Sequence, residues 1–115
     1  MSSSNWMCNV TLKIPEVGLL ECDVDNFLSK VKPVAKLTVK TKFGRGYNVF
    51  DRYEYVGDAE IDDEIQPIVK GDVEIALQFD KENLLLCGLI VTDIFELAKS
   101  YGFVMPRASL TRNFW

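Results

Sequence analysis

Between Val34 and Phe43 the chain alternates without a break. Ala35, Leu37, Val39, Thr41 and Phe43 share one face of an extended segment, and Val34, Lys36, Thr38, Lys40 and Lys42 share the other. Strict period-two alternation in a stretch rich in β-branched residues predicts a strand with one wet face, here a row of lysines. Gly44-Arg45-Gly46 follows as a flexible turn, and Tyr47 to Val56 is expected to return as a second strand bearing Tyr47, Phe50, Tyr53 and Tyr55. Cations track phosphates and flat rings stack on unpaired bases, so such a hairpin suits a single-stranded nucleic acid. The plainer account is that lysines guard a sheet edge and that tyrosine and phenylalanine are ordinary strand formers.

Charge distribution bears on that choice. The formal net charge is −4, which alone disfavours a polyanion. From Lys30 to Phe50, however, there are six cations (Lys30, Lys32, Lys36, Lys40, Lys42, Arg45) and no acid. From Asp51 to Glu82 there are eleven acids against Arg52, Lys70 and Lys81. A local basic face is therefore compatible with an acidic whole. With 115 residues and 48% hydrophobic content, one domain with its own core is expected. The longest apolar run, Leu84 to Val91, is strand-sized, and no segment resembles a membrane span or secretory signal, so a cytoplasmic location is expected. Cys8, Cys22 and Cys87 are widely spaced and the chain has no histidine, so buried reduced thiols are expected rather than a zinc site.

Taken in order, residues 1–5 are expected to be disordered, with a single domain over 6–103 and a tail over 104–115. Trp6 to Ile14 alternates and reads as the first strand, with Leu19 to Val24 extending the sheet past Pro15 and Gly18. Asp25 is expected to cap a short helix through Val31, which Pro33 ends. Ile61, Ile65 and Ile68 have near-helical spacing, so a brief helix is expected before Pro67. Gly71-Asp72 reads as a turn before a strand over Val73 to Phe79. That strand is expected to form a hairpin with Leu84 to Val91, buried on both faces, with Gly88 as a bulge or bend. Thr92 or Asp93 would then cap a helix over Ile94 to Tyr101 that Gly102 stops. Phe50 is assigned to the core. The sum is a mainly β fold with one or two short helices, arranged as a five-stranded barrel.

In that order of elements the chain resembles the OB-fold single-stranded DNA-binding proteins of small bacterial and phage type. The likeness rests on Val34 to Thr41 as the second strand, Lys70-Gly71-Asp72-Val73-Glu74-Ile75 as the opening of the fourth, and Gly88 to Ile94 as the closing strand and its exit. It covers roughly residues 30 to 95. The segment between the first two strands is longer here, and Phe114-Trp115 stands where bacterial members carry an acidic tail. The resemblance implies sequence-independent binding of single-stranded DNA in phage or bacterial replication or recombination, by a homo-oligomer in the bacterial or host cytoplasm. Replication or recombination proteins are the further partners implied. Lys36, Lys40, Lys42 and Arg45 would meet phosphates, and Tyr47, Tyr53 and Tyr55 would stack on bases. No cofactor or metal is expected.

Two other classes compete. An acidic protein-interaction module, such as a phage-type inhibitor or adaptor, would use Asp58 to Glu64 against a basic partner, with the lysines serving solubility alone. An enzyme is disfavoured, because no histidine can act as base and no serine or cysteine lies in a nucleophile motif. On the single-strand reading, Lys40→Glu combined with Lys42→Glu abolishes binding of a labelled oligo-dT while the domain stays folded. Binding retained by the folded double variant would remove that reading.

Overall fold

The computed structural model describes residues 4–35, 47–80 and 84–114. Among the described residues five strands and two helices follow one another as β1 (Ser4–Lys13), β2 (Leu19–Leu20), α1 (Glu21–Ala35), β3 (Tyr47–Ile61), β4 (Glu64–Asp80), α2 (Leu84–Ser100) and β5 (Val104–Phe114). All pairings are antiparallel. β3 pairs with β4 from Tyr47↔Leu77 to Ile61↔Glu64, whereas β1 pairs with it from Asn5↔Asp80 to Lys13↔Asp72. These ranges overlap, so β1 and β3 occupy opposite edges of β4. β2 continues beside β4 on the β1 side, at Leu19↔Val69 and Leu20↔Ile68, and β5 closes the row outside β1.

The order is thus β3, β4, β1, β5, and the two helical crossovers interlock. β1 and β3 run parallel with β4 between them, and β4 and β5 run parallel with β1 between them. This βαββαβ arrangement of two split units is the ferredoxin-like topology. The mainly β composition with two helices is as expected, but the described sheet is open rather than a closed barrel. β1 lies between β4 and β5, and both helices cover one face, so the opposite face is left to water, as antiparallel sheets allow.

Sequence alternation explains which face is covered. Cys8, Val10 and Leu12 of β1 and Val69, Val73, Ile75, Leu77 and Phe79 of β4 are all buried beneath the helices. α1 adds Val24, Phe27, Val31 and Ala35, a stripe at three- and four-residue spacing. The Phe27 ring lies 4.7 Å from that of Phe103 and 5.9 Å from that of Tyr101, tilted against both. It therefore joins α1 to the chain leaving α2, and burying it is worth roughly 3 kcal/mol. α1 runs through Pro33 because Val31 and Ala35, one turn apart and fully buried, hold its last turn on the core. Val34 and Ala35 accordingly end a helix instead of opening a strand, and the rest of the expected lysine strand lies outside the described residues.

The largest correction concerns Leu84 to Val91, which begins α2 and is not a strand. A short apolar run cannot by itself distinguish the two. Cys87, Ile90, Ile94 and Ala98 are buried at helical spacing while Leu85 and Leu89 are exposed. Gly88 is no bulge, and the Thr92 hydroxyl, far from capping a helix, donates to the Gly88 carbonyl oxygen within α2 at 2.9 Å. α2 stops where expected: Gly102 has φ of 94°, and the Phe103 and Gly102 amides donate to Ala98 and Lys99 oxygens at 3.1 and 3.2 Å, a Schellman ending. The expected C-terminal tail is mostly β5, and Ser4 and Asn5 belong to β1. The brief helix expected around Ile61 to Ile68 is instead a two-strand connection, with Asp62 and Asp63 at φ of 52° and 66° forming the turn. Asp tolerates that region, as tight hairpin turns require.

Gly71 is no turn residue either; it sits inside β4 with φ of 130°. A Cβ there would lie 2.3 Å from the Arg52 carbonyl oxygen and 2.8 Å from the Tyr53 Cα, both backbone atoms that cannot swing aside. At Gly57 nothing stands within 4 Å of the same position. Gly71→Ala is expected to cost well over ~1 kcal/mol in urea denaturation, whereas Gly57→Ala stays within about 1 kcal/mol of the parent protein.

Candidate functional site

β4 is longer than the strand it shares with β1. On the N-terminal side of Ile68 it has β3 as its one neighbour among the described residues, so residues 57–67 project from the body as a two-stranded arm. The long axis of the molecule, 59 Å against 20 and 18 Å, reflects such an extended form. The arm begins at a register shift between Tyr55 and Gly57, where Val56 is the extra residue of a bulge. It ends at the Asp62-Asp63 turn.

Alternation sorts the arm into two faces. Tyr55, Asp58 and Glu60 of β3 share the helix-side face with Pro67 and Ile65 of β4, and Ala59 and Ile61 share the other with Gln66 and Glu64. Tyr55 is 65% exposed and Ile65 73% exposed, with Val56 and Ile61 also open to water. Glu54, Asp58, Glu60, Asp62, Asp63 and Glu64 are all exposed around them. The first turn of α1 adds Glu21 and Asp23, with Asp25 close behind. The Tyr55 hydroxyl donates to the Glu21 carboxylate, tying the base of the arm to α1.

These carboxylates set the electrostatics of the tyrosine face. Burial, reinforced by Asp51, Asp25, Glu21 and Tyr55, pushes the Tyr53 phenol up to about 12. The bond to Glu21 raises Tyr55 as well. Burial and then the charges of Glu21 and Asp51 raise Asp25 above the ordinary carboxylate range. The charges of Glu21, Asp25 and Asp51, which add to burial and to the hydrogen bond here, also repel phosphate and attract cations.

The residues singled out in the sequence are distributed accordingly. Lys36, Lys40, Lys42 and Arg45 lie outside the described residues. Tyr47 and Tyr53 are half-buried and pack against the core, while Tyr55 stands free apart from its bond to Glu21. Tyr47 and Tyr55 are eight positions apart along β3, about 27 Å, so they do not converge. Phe50, assigned to the core, is 44% exposed on the uncovered sheet face, where the Arg52 guanidinium lies 6.0 Å from its ring centre and pairs with Glu74 at 3.2 Å. That it lies on the face of β3 opposite the tyrosines was visible; that this face met water was not. Of the three thiols, Cys22 is exposed rather than buried. Glu21 and Asp25 carried no local signal, since they reach the tyrosines only through the crossover from α1 to β3.

Among the described residues no cluster of three or more histidine, cysteine or acidic side chains can hold a metal ion, and no helix is long and apolar enough to cross a membrane. No family model and no curated protein matches the chain. Among solved structures, the de novo designed protein Foldit4 is similar over 98% of this chain and 97% of its own, at 13% identity and a TM-score of 0.44. A conserved protein of unknown function from Bacteroides thetaiotaomicron is similar over 98% and 99% of the two chains, at 9% identity and a TM-score of 0.47. Neither score reaches 0.5, and no residue role is carried over from either.

The raised Asp25 gives the site a signature in pH. A carboxyl raised on folding binds its proton more tightly in the folded state, so stability falls as pH climbs through the folded value and returns below it. Asp25→Asn is expected to raise Tm at neutral pH, and the gain should vanish below about pH 4, where the parent carboxyl is protonated in both states. An equal gain at every pH would separate the effect from charge.

Proposed function

We propose that the chain is a non-catalytic protein-interaction module whose acidic arm captures a basic, amphipathic segment of a partner protein. The arm itself carries this reading. A lone two-stranded ribbon is marginally stable in water, yet this one keeps Tyr55, Ile61 and Ile65 exposed among six carboxylates. A segment presenting apolar side chains to Tyr55, Ile65 and Pro67, and lysines or arginines to Asp58, Glu60 and Glu21, would cover those side chains and neutralise the charge. A cation over the Tyr55 ring adds roughly 0.5–1 kcal/mol at such an exposed site. Opposite charge also speeds encounter, with an on-rate that falls as salt is added.

A second reading, sequence-independent binding of single-stranded DNA, is supported by the cations of residues 36–45 and by the exposure of Tyr55. It takes an open sheet, not a closed barrel, as its surface. The acids around Tyr53 and Tyr55 weigh against stacking there, which is why the protein-binding reading is preferred. The outer edges of β3 and β5 pair with no strand among the described residues, and this supports the homo-oligomer expected from sequence.

One titration separates the two. Anisotropy of a labelled Lys/Leu amphipathic peptide and of a labelled oligo-dT is followed at two salt concentrations. The peptide is expected to bind, and Asp58→Lys with Glu60→Lys to weaken it at least about tenfold, in the range of lost close charge pairs. Tight oligo-dT binding that duplex cannot displace, with no response to the peptide, would overturn the preferred reading in favour of the second.

A further inference from the structure

The arm and the far edge of the sheet carry opposite charge. Residues 57–67 hold Asp58, Glu60, Asp62, Asp63 and Glu64 and no cation, whereas β5 holds Arg107 and Arg112 and no acid. β3 and β5 are the outer strands, and among the described residues each has one edge without a partner strand. Such edges are open to strand addition from another chain. On β5 the edge is blunted at its start, where Met105, with φ of 49°, and Pro106 stand against Leu12 as a bulge and proline offers no N–H. The five residues that follow, Arg107 to Thr111, are all exposed.

We propose that β5 of a second copy is the basic, amphipathic segment that the arm captures, added parallel to β3 along its outer edge at residues 57–61. The proposal rests on the protein-interaction reading above and names its partner. Charge sets the symmetric pairings aside: an arm against an arm opposes acid to acid, and β5 against β5 opposes arginine to arginine. β3 against β5 joins opposite signs. Because these are opposite edges of one sheet, each copy offers its arm to one neighbour and its β5 to another. Such a heterologous contact builds a ring or an open chain rather than a two-fold dimer.

Alternation fixes the orientation. In the arm Asp58 and Glu60 lie on the helix side, and Ala59 and Ile61 on the other. In β5 Arg107 and Ser109 pair with Thr11 and Asn9 on the open face, while Ala108 and Leu110 pair with Val10 and Cys8 on the helix side. Acid joins arginine and apolar joins apolar only when the second copy is turned over relative to the first. Turning it over about an axis across the strands also reverses their direction, so β5, antiparallel to β3 within one molecule, comes to lie parallel to it. Aligning Asp58 with Arg107 brings Ala59 beside Ala108 and Glu60 beside Ser109. Ile61, 41% exposed, then meets Leu110, 51% exposed. The same alignment sets the Val56 bulge level with the bulge at Met105 and Pro106, so the two irregularities coincide. Asp58, Glu60 and Arg107 have no ion-pair partner among the described residues, which leaves them available to the contact.

The test is sedimentation velocity of the full chain over a range of concentrations at low and high salt. The parent protein is expected to gain mass with concentration beyond a dimer, and to dissociate as salt is added. Asp58→Lys with Glu60→Lys, and separately Arg107→Glu with Ser109→Glu, should each weaken association at least about tenfold with the circular dichroism unchanged. Asp58→Asn or Arg107→Gln, which only remove a charge, should weaken it in the same direction. An equimolar mixture of the two charge-reversed chains should restore association, because the lysine arm meets the glutamate-bearing β5 and the parental arm meets the parental β5. A parent protein that stays monomeric, growth that stops at a dimer, association that survives either reversal, or a mixture that stays monomeric would each overturn the proposal. Anisotropy of the labelled Lys/Leu peptide keeps this failure apart from that of the protein-interaction reading. A monomeric parent protein that still binds the peptide removes the self-association alone, and one that binds neither removes both.

Discussion

Hydrogen bonding along both edges of β4 holds the molecule together. Over Asp72 to Leu77 the strand is paired with β1 on one side and β3 on the other, and its alternate residues Val73, Ile75 and Leu77 are fully buried. Everything else is placed by reference to it. The crossover from β1 to β3 must pass over β4, which sets α1 on the covered face. The crossover from β4 to β5 must pass over β1, which sets α2 beside α1. With both helices on one face, the other is left polar. Where β1 ends and β2 has passed, β4 and β3 run on alone, so the arm is an extension of the core strands and not a separate loop.

That dependence explains what could be read from the chain beforehand. Trp6 to Ile14 and Val73 to Phe79 alternate cleanly because each buries one face, and their inward residues were identifiable by parity alone. Gly102 was legible because a Schellman ending needs a residue without a Cβ strain penalty at that place. Leu84 to Val91 was not legible. Its helical burial pattern appears only when Ile94 and Ala98 are read with Cys87 and Ile90, and the polar Thr92 and Asp93 interrupt the apolar signal between them. Pro33 misled for a related reason: two fully buried neighbours on its own helix outweighed its local preference. The closed barrel followed from counting Leu84 to Val91 as a strand and the last twelve residues as a tail.

The site was legible in its acids and not in its geometry. The carboxylates of residues 58–64 are plain in the sequence, but isoleucine spacing pointed to a helix where paired strands place Ile61 and Ile65 on opposite faces. Joining Glu21 and Asp25 to Tyr53 and Tyr55 requires knowing how α1 crosses the sheet. Once that is known, the tyrosines change character. Rings that looked like stacking platforms on a basic hairpin lie among carboxylates, and their phenols are harder to ionise.

Continuity between arm and core has a consequence for how such an arm varies in length. Sliding β4 by one residue would turn Val73, Ile75, Leu77 and Phe79 to water, so the core fixes the register of the distant tip. Length can then change freely only in matched pairs, one residue added to each strand, leaving the acidic and apolar faces where they are. A single added residue must be absorbed as a bulge, as Val56 is, or it will exchange the two faces of everything beyond it. The arm thus grows in steps of one rung, and Val56 marks where an odd residue has already been accommodated.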